Sequence, residues 1–198
     1  MDSTKPDSRR HDILHHATQL FGSRGYGQTS IRDIASAVGM LPGSVYYHFA
    51  SKEALLAAVY TEGIERSIAA VEAAIVAKTT PWDRLEAAAV AHLSLLLADG
   101  ALAAIIADGR NQPIAARDAL VQQRNRYEAV FRRLVADVDL PPGVQSGPFR
   151  LALLGALNWA LTWYRPDGDP PEVVARDLFA VFRTNQTTYP LGSREIQP

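Results

Sequence analysis

Apolar residues recur at intervals of three and four along almost the whole chain, and no strand-length stretch alternates apolar with polar. Ile13, Ala17, Leu20 and Phe21 share one face of a helix expected from about Ser8 and ended by "SRGYGQTS". Ser30 opens a short helix with Ile31, Ile34, Ala35 and Val38 inward, and Gly39 closes it. Pro42 suits the first turn of a third helix, where its missing N–H costs nothing. Ser51 caps a long helix to about Lys78, with Leu55, Val59 and Ile64 inside. Further helices are expected from Pro81 to Ala98, between Gly100 and Gly109, and from Pro113 to about Val138. "FRLALLGALNWALTWY" is apolar almost all round and is expected to be buried on two sides, and "EVVARDLFAVFRTNQ" supplies the last amphipathic helix. The spacing predicts an all-α chain of about nine helices, with linkers too short to separate independent domains.

The chain has 198 residues, enough for a substantial core, and is 47% apolar and 21% charged. No run of about 18 uncharged apolar residues marks a membrane span. The start, "MDSTKPDSRRHD", lacks a signal-peptide apolar region, so a cytoplasmic protein is expected. Without cysteine there is no disulfide, thiolate nucleophile or Cys-based metal site. His15, His16, His48 and His92 have no metal-ligand spacing, "LFGSRGYG" follows a helix rather than a strand, and "PGSVYY" lacks the G-x-S-x-G of a nucleophile elbow. No catalytic residue, cofactor or metal is expected.

The net charge of −1 divides unevenly. Residues 1–52 hold six Lys and Arg against four Asp, and four of the five histidines, while the remainder holds 14 basic against 17 acidic residues. A basic front on an acidic body suits an anionic partner at one end. Two short helices joined by a tight turn and packed on a first helix match helix-turn-helix geometry, whose second helix enters the DNA major groove. In "GMLPGSVYYHF", Val45 and Phe49 fall inward at i, i+4, leaving Leu41, Pro42, Ser44, Tyr47 and His48 toward solvent. That assigns the Tyr hydroxyls, His48 and Lys52 to phosphates, with Ser44 and Leu41 near base edges.

"TSIRDIASAVGMLPGSVYYHFASKEALLAAV" closely resembles the DNA-binding region of the tetracycline-repressor-like (TetR/AcrR) transcriptional regulators. The shared elements are the glycines after Phe21 in "LFGSRGYGQTS", "IA..VG" in the second helix, "GS.YYHF" in the third and "SKE.L" opening the fourth, over about Ile13 to Val59. The resemblance implies a homodimer with a reading head over residues 1–52 and a ligand-binding and dimerisation body over 53–198. It implies that Arg32, Pro42, Ser44, Tyr46, Tyr47, His48 and Lys52 stand where family members touch operator DNA. Leu41 departs from the pattern, since Ser or Thr often caps the third helix there.

In the body, the resemblance implies a four-helix dimer interface. The apolar candidates are Leu153, Ala156, Leu157, Ala160 and Leu161 on one helix, and Val174, Leu178, Val181 and Phe182 on the last. It also implies an effector inside the bundle. His92, Leu96, Ile106, Phe131, Asn158, Trp159, Thr162 and Trp163 mix aromatics with a few polar groups, as small-molecule pockets do. "ALNWALTWYRPDGDPP" is similar to a branch that responds to acyl-CoA thioesters, so the effector is either an acyl-CoA or another small hydrophobic molecule. The expected partners are thus palindromic operator DNA, a second copy of the chain and that effector, with no membrane. Repression is the commoner outcome in the family. A helical scaffold without DNA binding is the other class left open.

Overall fold

A computed structural model describes residues 5–107 and 113–184, with side chains over 8–105 and 113–183. The described residues form nine α-helices and one 3₁₀ turn. The head consists of α1 (Lys5–Arg24), α2 (Ile31–Ala37) and α3 (Pro42–His48), and α4 (Lys52–Ile75) leads from it into the body. The body adds α5 (Pro81–Ala98), α6 (Gly100–Ala107), α7 (Ile114–Ala136), α8 (Ser146–Trp159) and α9 (Pro171–Thr184).

Local signals set the head. Ser30 and Asp33 form a reciprocal capping box: the Ser30 hydroxyl accepts from Asp33 N–H at 3.2 Å, and Ser30 N–H donates to Asp33 Oδ2 at 2.7 Å. Gly39 takes φ +65° and closes α2, with Met40 N–H donating to Ala35 C=O at 2.8 Å and Gly39 N–H to Ser36 C=O at 3.2 Å. Those two bonds turn the chain sharply into α3. Pro42 stands in the first turn of α3, whose cap, Leu41, makes no side-chain bond. The Ser51 hydroxyl accepts from Ala54 N–H at 3.1 Å and starts α4.

Ile13, Ile34, Val45 and Leu55 are fully buried and lock α1–α4 together. The same apolar cluster continues through Leu85, Leu93, Phe131, Leu153 and Phe179, so head and body share one core. Helix α5 is the axis of the body and touches α4, α6, α7, α8 and α9.

Helix α1 starts three residues earlier than the pattern predicts, and α4 stops at Ile75 rather than near Lys78. The run beginning at Phe149 is α8 only to Trp159; Ala160–Thr162 forms the 3₁₀ turn, with Tyr164 N–H donating to Ala160 C=O at 2.8 Å. Pro166 follows closely and disfavours helix just before it. Nor is α8 buried on two sides within the chain: Phe149, Leu153, Leu154 and Leu157 are inside, whereas Leu151 and Trp159 are 58% and 66% exposed.

Candidate nucleic-acid interface and internal pocket

Helix α3 has one inward row and a bare outward surface. Val45 and Phe49 are buried, while Leu41 is 77%, Tyr46 52% and Tyr47 85% exposed. Leu41, Ser44 and His48 follow one another at helical spacing along the solvent side. The rings of Tyr47 and His48 meet edge to face at 5.3 Å, which fixes their mutual orientation.

Beside α3 runs a shallow groove lined by residues 27–30, Arg32, Pro42, Tyr46 and Lys52. The Lys52 ammonium lies 4.0 Å above the Tyr26 ring. The Tyr26 hydroxyl donates to Glu53 Oε1 at 2.8 Å. Burial, then that bond, raise the Tyr26 phenol well above its usual range, and hydrogen bonds hold the Glu53 carboxyl low. Partial burial lowers the Lys52 ammonium. Thr29 is buried and donates to Leu20 C=O and Gly25 C=O, holding the loop that carries one wall of the groove. Four of the eight candidate DNA-contacting residues thus share this groove, and the other four stand on α3 or its cap.

A cavity of about 280 Å³ lies within the body, walled by α4–α8. His92 and Leu96 come from α5, Tyr60 from α4, Tyr127 from α7, and Leu154 and Asn158 from α8. His92 Nδ1 lies 2.6 Å from the Tyr127 hydroxyl and Nε2 lies 3.1 Å from Asn158 Oδ1. Burial is the main cause that pulls the His92 pKa down to about 4, opposed in part by the Asn158 bond, so the ring is neutral at physiological pH. Burial also raises the Tyr127 phenol above its usual range. Phe131 is wholly buried and packs edge-on against His92 at 5.8 Å, behind the lining.

Trp159, Thr162 and Trp163, expected in the pocket, lie outside its lining. Each helical residue turns about 100°, so Trp159 points well away from its neighbour Asn158. The Thr162 hydroxyl instead donates to Trp159 C=O at 2.7 Å. The Ile106 side chain lies outside the described residues. Tyr60 and Tyr127 line the cavity without having been expected there, and Arg124, one of the cations the sequence offers to an acyl-CoA's phosphates, lines it too. The i, i+4 pair Tyr127–Phe131 on the inner face of α7 was the signal that could have found one of them.

The candidate dimer residues also divide. Leu153, Leu157 and Ala160 are fully buried inside the chain and have no surface to offer a second copy. Leu161, Val174, Leu178 and Phe182 are partly covered, and Ala156 is half-buried. Val181 is 66% exposed, and Trp159, Trp163 and Val173 are further exposed apolar residues of the α8–α9 region.

Helix α6 joins the two regions. A Cβ on Gly22 of α1 would stand 2.6 Å from Ala101 Cα, and one on Gly63 of α4 would stand 2.5 Å from Leu102 Cδ1. Leu102 and Ala103 line the cavity from the same helix.

Among the described residues no group of three or more His, Asp or Glu side chains is placed to hold a metal, and no helix is long and apolar enough to cross a membrane.

The description "Bacterial regulatory proteins, tetR family" matches residues 13–59, and "Tetracyclin repressor-like, C-terminal domain" matches residues 78–184. The HTH-type transcriptional repressor KstR2 of Mycobacterium tuberculosis (strain ATCC 25618 / H37Rv) is 30% identical over 173 residues, covering 82% of this chain and 84% of the relative. The fatty acid metabolism regulator protein of Bacillus subtilis (strain 168) is 26% identical over 143 residues, 71% of each chain. The solved structure of AibR in complex with isovaleryl coenzyme A and operator DNA superimposes with a TM-score of 0.77 at 23% identity, covering 88% of this chain and 97% of that one.

Proposed function

The chain belongs to the tetR family of bacterial regulatory proteins, and we propose that it is a ligand-responsive transcriptional repressor that binds a palindromic operator as a homodimer. The division proposed is a reading head over residues 1–52 and an effector and dimerisation body over 53–198. The observation that carries the reading is the bare outward surface of α3, with Leu41, Tyr46 and Tyr47 at least half exposed on a helix whose inner row is fully buried. A scaffold has no use for that arrangement, whereas a major groove does. Tyr46, Tyr47, His48 and Lys52 act on phosphates, while Arg32, Leu41, Pro42 and Ser44 approach base edges.

The effector is a small, mostly apolar molecule held in the cavity of the body. An acyl-CoA thioester is the class favoured, supported by AibR, whose structure contains isovaleryl coenzyme A. Release follows from geometry. Helix α6 contributes Leu102 and Ala103 to the cavity wall and rests on Gly22 of α1. A ligand that moves α6 therefore shifts the head, and two heads must lie about 34–36 Å apart, or multiples of it, to meet a palindrome. A ligand that binds better to the misaligned form draws the population away from DNA.

The test is fluorescence anisotropy of the full chain on fragments of its own upstream region over a salt series. A regulator loses affinity steeply as salt rises, because phosphate contacts release counterions. A salt-independent or absent interaction would favour the scaffold reading.

A further inference from the structure

A polar chain runs from the Tyr127 hydroxyl through His92 to Asn158, which lines the cavity and is also open to solvent. Asn158 Oδ1 faces His92 Nε2 at 3.1 Å, so the imidazole proton sits on Nε2 and is donated to that oxygen. His92 Nδ1 is then an acceptor, and the Tyr127 hydroxyl donates to it at 2.6 Å. Three helices are tied together by two bonds, with the neutral ring at the centre.

What is left over is a donor. Asn158 lines the cavity, its oxygen is engaged, and among the described residues nothing accepts from its Nδ2 hydrogens. The acidic groups of the lining are already taken: Asp99 by Arg66 at 3.1 Å and Glu128 by Arg150 at 2.6 Å. Leu96, Leu151 and Leu154 supply apolar lining to the same cavity. Arg124 is the one cation of the lining, and Asn158 its amide donor beside a neutral imidazole; such an amide suits a neutral acceptor on a hydrocarbon body.

We propose that Asn158 is the polar anchor of the cavity, donating from Nδ2 to the carbonyl oxygen of an apolar acyl ligand. The assignment rests on the reading of this cavity as the effector site. His92 and Tyr127 are positioning residues: they hold the Asn158 oxygen back and so aim the amide nitrogen forward. Asn158 is exposed as well as lining the cavity, so a ligand that lacks the carbonyl leaves the amide to water and forfeits one net hydrogen bond, about tenfold in affinity.

The experiment is a calorimetric titration of the full chain, without DNA, using hexanoyl-CoA and the thioether hexyl-CoA, which differ by one carbonyl oxygen. The wild type binds the thioester about tenfold tighter than the thioether. Asn158→Leu removes that preference while keeping thioether affinity. Asn158→Asp, isosteric and able to accept from His92 but not to donate, removes it too and covers the case in which the leucine variant does not fold. The infrared carbonyl stretch of hexanoyl-CoA shifts to lower frequency on binding to the wild type and not to either variant. Equal binding of both probes to the wild type overturns the proposal, as does a preference that survives in both variants. Binding of neither probe also overturns it, and leaves the DNA-binding reading to its own salt series.

Discussion

Gly22 of α1 lies so close to Ala101 of α6 that a methyl group on Gly22 would stand 2.6 Å from both the Ala101 Cα and its carbonyl oxygen. Backbone cannot rotate out of the way as a side-chain end can. Gly22→Ala therefore forces α1 and α6 apart, at a cost of about 1–3 kcal/mol. The expected outcome is a lower melting temperature together with an altered operator affinity, because the contact joins head to body. A variant with unchanged stability and DNA binding would remove α6 from the coupling.

His92 sets a pH limit on stability. In the folded chain its pKa is depressed to about 4, from 6.5 in the unfolded state. Below pH 6.5 the unfolded chain takes up a proton that the folded chain refuses, so stability falls with pH between about 6.5 and about 4 and is unaffected above that window. The contribution approaches about 1.4 kcal/mol per pH unit inside it. Denaturant titrations from pH 4 to 8 check this against His92→Gln, which removes this titration; the difference between the two curves is expected to grow toward acid. Parallel curves would mean that His92 is as solvated in the folded chain as in the unfolded one.

The head was legible because its instructions are local. Ser30, Gly39, Pro42 and Ser51 act on their own turns, and each does in the structure what its residue type dictates. The body was legible only in part. Helix α8 is apolar on most sides, so its periodicity could not separate Leu153 and Leu157, which fill the core, from Trp159, which faces out. Composition singled out His92, Leu96 and Asn158 as lining but drew in the two exposed tryptophans as well. The Gly22–Ala101 approach joins residues far apart in the chain, and no local pattern encodes such a contact.

Tyr47 is 85% exposed and its ring meets that of His48, so the double substitution Tyr47→Ala, His48→Ala is expected to leave the melting temperature nearly unchanged. Operator affinity should fall at least tenfold, the loss of about two phosphate-directed contacts of about 1 kcal/mol each. Leu41→Ser separates fold from reading in the other direction. It gives α3 the side-chain cap it lacks and should stabilise the head by about 1 kcal/mol, while changing base preference at the helix entry. Anisotropy titrations beside thermal melts read both effects, and a Leu41→Ser protein with unaltered sequence preference would take Leu41 out of the interface.

The outer surface of α8–α9 yields the last prediction. Trp159 and Val181 are each 66% exposed, so neither supports the fold of a single chain to any large extent. Exposed apolar side chains grouped on neighbouring helices mark an association surface. Self-association through a two-fold axis would place the same patch on both sides and bury it twice. Trp159→Glu and Val181→Glu are therefore expected to retain helical content while shifting sedimentation at micromolar concentration from dimer to monomer, and operator affinity should fall with them because one head meets only half a palindrome. Leu157→Ala is the control: Leu157 is fully buried within the chain, so its loss costs about 2–5 kcal/mol of fold stability. If the two glutamate variants remain dimeric, the pairing surface lies elsewhere, and the exposed tryptophans need another partner.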